Sequence, residues 1–257
     1  MEFTFYKYQG TGNDFVLIDN RNEFFPKHDT QLVAKICHRR FGVGADGLIL
    51  LENSNESDFK MVYYNSDGNI SSMCGNGGRC IVHFARFLEI ISHKTSFTAI
   101  DGLHQASIND DIVSLKMSNV EEIKVLGETA FLNTGSPHHV QMVSEIETFN
   151  VFNEGKSIRN GIYGKEGANV NFVEQKGEGL FSVRTFERGV ENETYSCGTG
   201  VTAVALAMFE IHRTAQNKIT LETPGGTLKV SFEKEGLQYK NIYLKGPATQ
   251  VFKGLWK

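Results

Sequence analysis

A motif that occurs twice, 123 residues apart (197 − 74), constrains the fold of this chain most strongly. Residues 74–77 read Cys-Gly-Asn-Gly, and residues 197–200 read Cys-Gly-Thr-Gly. The same offset relates residues 11–13 to residues 134–136, and Gly102 to Gly225. Several landmarks at one fixed period are typical of an internal duplication. The sequence therefore predicts two homologous lobes, residues 1–120 and 121–246, followed by a short tail at 247–257.

Each lobe is predicted to contain a strand-rich sheet. Apolar or alternating runs favour β-strands at residues 15–18, 48–51, 181–186 and 228–232. Together with the helices described next, these strands indicate the α+β class.

A helix is expected directly after each motif. In the first lobe Cys80, Phe84, Phe87 and Leu88 recur on one helical face. In the second lobe, residues 201–208 are apolar nearly all round, as in a buried helix. A further helix is predicted near residues 30–40. Each lobe is thus expected to place one central helix against its sheet.

Composition and charge exclude several classes of protein. The net charge is −4 and no cluster of five or more basic residues occurs, which argues against nucleic acid or an acidic membrane as a partner. The longest apolar run, residues 201–209, is far shorter than the roughly 20 residues that cross a bilayer. The N-terminus lacks the layout of a signal peptide. We therefore expect a cytoplasmic protein whose thiols are reduced.

The two motif cysteines, Cys74 and Cys197, are predicted to be reactive. Each precedes a glycine-rich turn that opens a helix, where backbone N–H groups and the helix dipole favour a thiolate. The same N–H groups bind carboxylates. Two such sulfurs, one thiolate and one thiol, suit inversion at a carbon that carries hydrogen. This chemistry requires neither pyridoxal phosphate nor a metal.

Other uses of the cysteines and histidines are less favoured. Cys37 and Cys80 are expected to be buried structural residues. His83, His138 and His139 are available as metal ligands, but no Cys-x-x-Cys or His-x-x-x-His spacing occurs, so no metal site is predicted. Residues 75–79 match neither a Walker loop nor a dinucleotide fingerprint.

Taken in order from about residue 7 to the end, the motifs resemble those of the diaminopimelate epimerase family. The matching segments are residues 12–15 (GNDF), 42–47 (GVGADG), 65–68 (NSDG), 73–80 (MCGNGGRC), 135–138 (GSPH), 168–170 (ANV), 187–189 (ERG), 196–200 (SCGTG), 224–226 (PGG) and 245–248 (KGPA). The resemblance implies two pseudo-symmetric lobes, each a barrel-like sheet around a central helix, with the C-terminal tail joining the first lobe. It also implies a homodimer that converts LL-diaminopimelate to the meso form without a cofactor, for lysine and peptidoglycan precursors.

Residue roles follow from the same resemblance. Cys74 and Cys197 are the expected acid–base pair. Glu187 is expected to bind the reacting ammonium and, with His138, to tune the sulfurs, because a carboxylate disfavours a thiolate and a charged imidazole favours it. The backbone donors expected for the carboxylate belong to Gly75, Asn76, Gly198 and Thr199. The residues expected to hold the distal amino-acid end are Asn13, Asn65, Asn169 and Arg188.

Two departures from the family pattern affect the distal contacts. Ser136 stands where many members have asparagine, and Gly47 stands where some have a ligand-contacting glutamine. The nearest alternative function is a proline or hydroxyproline racemase, whose expected histidine after the first Cys-Gly is replaced by Asn76 here. A thiol redox protein or a non-catalytic binding module is the alternative from another class.

Overall fold

The computed structural model describes residues 2–257, which divide into two compact units. Unit 1 extends to Leu115 and also includes Gly246–Lys257, whereas unit 2 is Lys116–Lys245. The sequence placed these boundaries at 120/121 and 246/247.

Unit 1 contains one run of paired strands and two helices. The strands pair in the order β18-β1-β2-β3-β4-β6-β7-β8, with β5 on β4; β2/β3 and β4/β6 are parallel and the other pairs antiparallel. In chain numbering, the elements are β1 (Phe3–Gly10), β2 (Asn13–Asp19), α1 (Thr30–Cys37), β3 (Gly47–Glu52), β4 (Phe59–Asn65), β5 (Ile70–Ser71), α2 (Gly75–Phe87), β6 (Lys94–Ala99), β7 (Gly102–Asn109), β8 (Ile112–Lys116) and β18 (Thr249–Trp256).

Unit 2 repeats this topology strand for strand. Its strands pair in the order β9-β10-β11-β12-β13-β15-β16-β17, with β14 on β13, and β11/β12 and β13/β15 are parallel. Its elements are β9 (Ile123–Leu126), β10 (Thr129–Asn133), β11 (Pro137–Met142), α3 (Val151–Gly161), β12 (Asn169–Gly177), β13 (Leu180–Glu187), β14 (Asn192–Thr194), α4 (Gly198–Glu210), β15 (Lys218–Thr223), β16 (Gly226–Glu235) and β17 (Gln238–Pro247). The predicted α+β class with two pseudo-symmetric lobes is confirmed.

The repeat registers the two central helices. Helices α2 and α4 have 13 residues each and begin 123 residues apart (198 − 75). Gly12 and Gly135 both have positive φ, 85° and 103°, in equivalent turns before β2 and β11. One predicted pair was wrong by a residue. Gly102 opens β7 with φ 116°, and its counterpart is Gly226, which opens β16 with φ 134°. Gly225 instead precedes that strand.

Each central helix packs against the strands of its own unit. In α2, a Cβ on Gly77 would meet Ile49 of β3 and Met61 of β4. In α4, ten residues are buried, which confirms a helix that is apolar all round. The predicted apolar face of α2 is only partly right. Cys80 and Phe84 are fully buried, but Phe87 is 49% exposed and Leu88 is the C-cap.

The two outer helices differ from the sequence prediction in different ways. Helix α1 starts at the predicted residue but ends at Cys37, since the backbone of His38 is extended. Helix α3 was not predicted, because its two asparagines and two glycines have poor helix propensity. Asn150 caps it by accepting the N–H of Asn153 (3.2 Å). Gly155 allows close packing, since a Cβ there would lie 2.3 Å from the side chain of Phe186.

The cores are apolar. One cluster joins β1, β2, β3 and α1, and another joins α3 to β12 and β13. Among residues 2–257, no helix has the length and apolar character that crossing a membrane requires.

Candidate active site

The first motif places Cys74 at the N-cap of α2. Its sulfur accepts the backbone N–H of Gly77 at 3.2 Å, and its carbonyl accepts the N–H of Gly78 at 2.8 Å. The side chain is half-buried. A cysteine in this position has a donor that a thiolate uses better than a thiol does.

The second motif places Cys197 at the N-cap of α4, where it is 8% exposed. Here the group near the sulfur is a side chain, because the Thr199 hydroxyl oxygen lies 3.4 Å from Sγ. Gly200 is required by close packing. A Cβ on it would lie 2.5 Å from the Asn171 carboxamide oxygen and 3.3 Å from the Cys197 sulfur.

A chain of buried hydrogen bonds leads from β12 to Thr199. The Asn171 amide nitrogen donates to the His139 carbonyl at 2.9 Å and approaches His138 Nδ1 at 3.2 Å. Nδ1 of His138 therefore accepts, and the ring proton lies on Nε2. That nitrogen lies 3.0 Å from the hydroxyl of Thr199. The arrangement fixes the imidazole and leaves the Thr199 hydroxyl hydrogen available to Cys197.

His138 is consequently neutral. Complete burial and the charge of Arg188 lower the pKa of His138 to about 3, and the Asn171 N–H opposes a second ring proton on Nδ1. The expectation of a charged imidazole is therefore wrong, because a buried cation without an anionic partner is strongly disfavoured. His138 can act on its surroundings only as a neutral donor and acceptor, and its effect on the sulfurs remains a prediction.

Glu187 ends β13 and is half-buried. Its carboxylate accepts the hydroxyl of Thr194 at 2.9 Å across the β13/β14 hairpin. By strand register Glu187 corresponds to Asn65 of unit 1. The last pair of β12 and β13 before it is Val170 with Phe186, which places Glu187 opposite Asn169. In unit 1, Asn65 pairs with Gly47, the residue of β3 that corresponds to Asn169. The duplication has thus diverged to give one carboxylate and one carboxamide at this position.

Two of the predicted distal residues meet in unit 2. The Asn169 carboxamide donates to the Ser136 hydroxyl at 3.0 Å and accepts the backbone N–H of Arg188 at 2.9 Å. The Arg188 guanidinium binds the carbonyl of Glu166 at 3.0 Å and lies 3.5 Å from Ser136 Oγ. Ser136, which departs from the family pattern, therefore supports both residues.

The unit 1 residues form a separate polar group. The Asn76 side chain donates to the carboxamide oxygen of Asn13 at 3.2 Å, and the Asn13 side chain donates to the Asp46 carboxylate at 2.6 Å. Asp46 is held by Arg39, which also pairs with Asp14 at 2.8 Å.

Asp14 anchors this group from β2. Burial raises its pKa, but hydrogen bonds from Arg39 and Lys7 outweigh that effect and bring the pKa to about 2. Asn65 is the last residue of β4 and is exposed, and its backbone N–H donates to the Asn69 carbonyl at 2.9 Å.

Close packing explains why residue 47 is glycine in this chain. A Cβ there would lie 2.5 Å from both the Tyr63 ring and the Tyr64 carbonyl. The space that a longer side chain would enter is therefore filled by Tyr63, so the family glutamine does not fit here.

The remaining cysteines are buried, as predicted. Cys37 is 2% exposed, and burial raises its pKa to about 12. Cys80 is fully buried, and burial raises its thiol pKa further. Among residues 2–257, no group of three or more His, Cys, Asp and Glu side chains has the arrangement of a metal site.

Sequence reasoning missed two buried polar residues. Asn171 follows Asn169 at a spacing of two, which places both on one face of β12, and this alternation was the available signal. Arg79 lies within the quoted first motif but was given no role, because nothing local distinguishes a buried arginine from an exposed one. In the structure Arg79 is fully buried.

The family profile and the relatives found by comparison with known proteins carry the same name. The sequence profile of the family described as diaminopimelate epimerase matches residues 5–121 and 130–251. A diaminopimelate epimerase of Flavobacterium psychrophilum is 60% identical over 96% of this chain and 97% of its own length. One from Chlorobaculum tepidum is 40% identical over 95% of this chain and 98% of its own length.

Solved structures share the fold at low identity. A Bacillus anthracis phenazine biosynthesis protein of the PhzF family superposes with a TM-score of 0.78 at 12% identity, covering 100% of this chain and 99% of its own. A hydroxyproline epimerase from Agrobacterium vitis gives 0.70 at 13% identity, covering 99% and 92%. These two likenesses concern the fold alone.

Proposed function

Because this chain belongs to the diaminopimelate epimerase family, we propose that it interconverts LL-diaminopimelate and meso-diaminopimelate. The proposed reaction is a cofactor-independent two-base inversion by Cys74 and Cys197. Its product serves lysine and peptidoglycan precursor synthesis.

One observation carries the mechanistic part of this proposal. Cys74 and Cys197 occupy the same position, the N-cap, of two 13-residue helices related by the internal repeat. A duplicated fold that keeps a sulfur in both copies provides two proton-transfer groups of the same kind. Inversion requires such a pair, since the proton leaves one face of the carbon and another proton arrives at the opposite face.

The proton balance assigns complementary states to the sulfurs. One cysteine, as thiolate, removes the α-proton and becomes a thiol. The other, as thiol, donates its proton to the carbanion and becomes a thiolate. The charge distribution after one turnover is therefore the reverse of the starting one, and the reverse reaction uses the same groups in exchanged roles.

Backbone and side-chain groups complete the proposal. The N–H groups at the start of α2 and α4, including those of Asn76 and Thr199, would bind the substrate carboxylate at the reacting carbon and stabilise developing charge. Glu187 would bind the reacting ammonium. Asn13, Asn65, Asn169 and Arg188 would hold the distal amino-acid end, which a cyclic imino acid lacks.

Assembly and location form part of the same proposal. We expect a cytoplasmic protein that forms a homodimer. Exposed apolar side chains on β18 support the dimer, since Val251, Phe252 and Leu255 are each about half exposed. Sedimentation velocity at micromolar concentration tests the assembly, and a species of one-chain mass would contradict it.

The function is tested by following α-proton exchange with NMR. LL-diaminopimelate and L-proline are each incubated in D₂O under reducing conditions with the wild type, Cys74→Ala and Cys197→Ala. Deuterium is expected in diaminopimelate only, with meso product from the wild type and no epimerisation by either variant. Cys37→Ala is the matched control, because it removes a buried thiol outside the proposed pair.

Other outcomes separate the alternatives. Exchange into proline alone would assign the chain to the racemases. Exchange into neither substrate would leave a binding or redox role. Full activity of Cys74→Ala would exclude the two-base mechanism.

A further inference from the structure

Arg79 is a buried cation without a carboxylate partner. Its guanidinium donates to the Gly75 carbonyl at 3.1 Å, the Thr11 hydroxyl at 3.0 Å and the Pro247 carbonyl at 3.3 Å. All three acceptors are neutral, and no Asp or Glu in the part of the chain that the structure describes forms an ion pair with it. Burial lowers the pKa of Arg79 only to about 10, so it stays charged at neutral pH.

This cation lies at the positive end of a helix. Side chains of a helix point towards its N-terminus, and Arg79 reaches back to Gly75, the first residue of α2. Its charge adds to that of the helix dipole instead of opposing it. A buried cation in this position is strongly disfavoured unless an anion lies nearby.

The neighbouring thiols offer that anion. A negative charge on either Cys80 or Cys74 would stabilise the charged form of the guanidinium and raise its pKa. Cys80 is completely buried, and burial raises its pKa so far that it remains a thiol. Cys74 is half-buried and accepts the N–H of Gly77. Of the two sulfurs, Cys74 is therefore the one suited to be the anion.

Unit 2 has no equivalent cation. The residue 123 positions after Arg79 is Thr202, which is fully buried and donates to the Gly198 carbonyl at 2.9 Å. That bond corresponds to the one from Arg79 to Gly75, but a hydroxyl carries no charge. No lysine or arginine of unit 2 is buried; Arg188, whose charge acts on His138, is exposed, and His138 is neutral. Both units therefore have a side chain that donates to the first carbonyl of the central helix, but only in unit 1 is that side chain charged.

We propose that Arg79 is a positioning residue that holds Cys74 as a thiolate in the substrate-free protein, while Cys197 rests as a thiol. The inference rests on the two-cysteine function proposed above. Cys74 is then the base in the first turnover, and the resting protein binds the isomer whose α-hydrogen is directed at Cys74.

The test measures ionisation without turnover. Alkylation rates with iodoacetamide are followed from pH 5 to 10. The midpoint of each rate profile gives the pH at which one sulfur ionises, because accessibility changes the size of the rate and not the position of the midpoint. Trypsin yields residues 61–79 and 189–213 from the wild type, which contain Cys74 and Cys197 respectively and no other cysteine. In Arg79→Met the first peptide extends to Arg86 and also contains Cys80, so fragment-ion masses assign the alkylated sulfur there. The expected result is a midpoint for Cys74 about one pH unit or more below that of Cys197.

Variants then assign the effect to the charge. Arg79→Met should raise the Cys74 midpoint by about one pH unit or more and leave that of Cys197 unchanged. Arg79→Lys, which keeps the charge, should retain the low midpoint. Thr202→Val is the matched control, because it removes the equivalent hydrogen bond in unit 2 and should leave the Cys74 midpoint unchanged.

The wild-type comparison decides the proposal even if Arg79→Met does not fold. A Cys197 midpoint at or below that of Cys74 would overturn it. So would a folded Arg79→Met protein, judged by circular dichroism, whose Cys74 midpoint is unchanged. Failure of the proposed function would look different, since epimerisation would be absent while the alkylation profiles stayed as expected.

Discussion

Acidification should destabilise unit 2 through His138, and the effect can be calculated from its environment. The imidazole is completely buried, and its pKa falls from 6.5 to about 3 on folding. Between pH 3 and pH 6.5, His138 is protonated in the unfolded chain but neutral in the folded one. The contribution of His138 to the free energy of unfolding is therefore fully present above pH 6.5 and is lost as the pH falls towards 3.

The magnitude at pH 5 depends mainly on the unfolded value. The interval from 6.5 to 5 is about 1.5 pH units, and each unit corresponds to about 1.4 kcal/mol. The free energy of unfolding should therefore fall by about 2 kcal/mol from this residue alone between pH 8 and pH 5. Because the folded pKa lies well below 5, His138 stays neutral in the folded protein over this whole pH range.

His138→Gln isolates the effect, since glutamine does not titrate. Urea unfolding of wild type and variant is followed at pH 8 and pH 5 by circular dichroism, because the single tryptophan, Trp256, belongs to unit 1. The difference in free energy of unfolding between the two proteins should shrink by about 2 kcal/mol at the lower pH. His28→Gln controls for the loss of one imidazole from the unfolded chain. A difference independent of pH would show that His138 is protonated in the folded state.

Three further outcomes are expected. Gly200→Ala should lower epimerase activity at least tenfold and destabilise the fold by about 1–3 kcal/mol, because its Cβ would lie 2.5 Å from the buried Asn171 carboxamide oxygen. The equivalent Gly77→Ala would meet side-chain atoms at 3.1 Å or more, among them the Cys74 sulfur at 3.2 Å, and should destabilise the fold less, as urea melts would show. Gly155→Ala should lower the thermal midpoint through its clash with a phenylalanine ring, whereas Gly161→Ala, with no atom within 4 Å, should leave or raise it by calorimetry. Treatment with a metal chelator, or with hydroxylamine to trap any pyridoxal group, should leave epimerase activity unchanged. A loss of activity that is reversed by adding a metal ion or pyridoxal phosphate would contradict a cofactor-independent reaction.

Much of the architecture was predictable because it is local or repeated. The strands around residues 15–18 and 181–186 carry strong β patterns. The helix predicted after each motif is present, but it begins within the motif, at Gly75 and Gly198. The duplication could be detected because both copies kept glycines where backbone geometry demands them, as at Gly12 and Gly135. Helix α3 escaped prediction because tertiary packing against β13, rather than propensity, stabilises it.

The sequence by itself determined the two-lobed fold, the family and the two cysteines at helix N-termini. Only the tertiary structure decided the electrostatics around them. It showed that His138 is neutral, since Asn171 and burial exclude its second proton, and that Arg79 is a cation with no carboxylate partner among residues 2–257. The physical reason is that a residue's charge state depends on solvent exclusion and on hydrogen-bond partners that are distant in sequence. Neither is encoded in the local pattern of residue types.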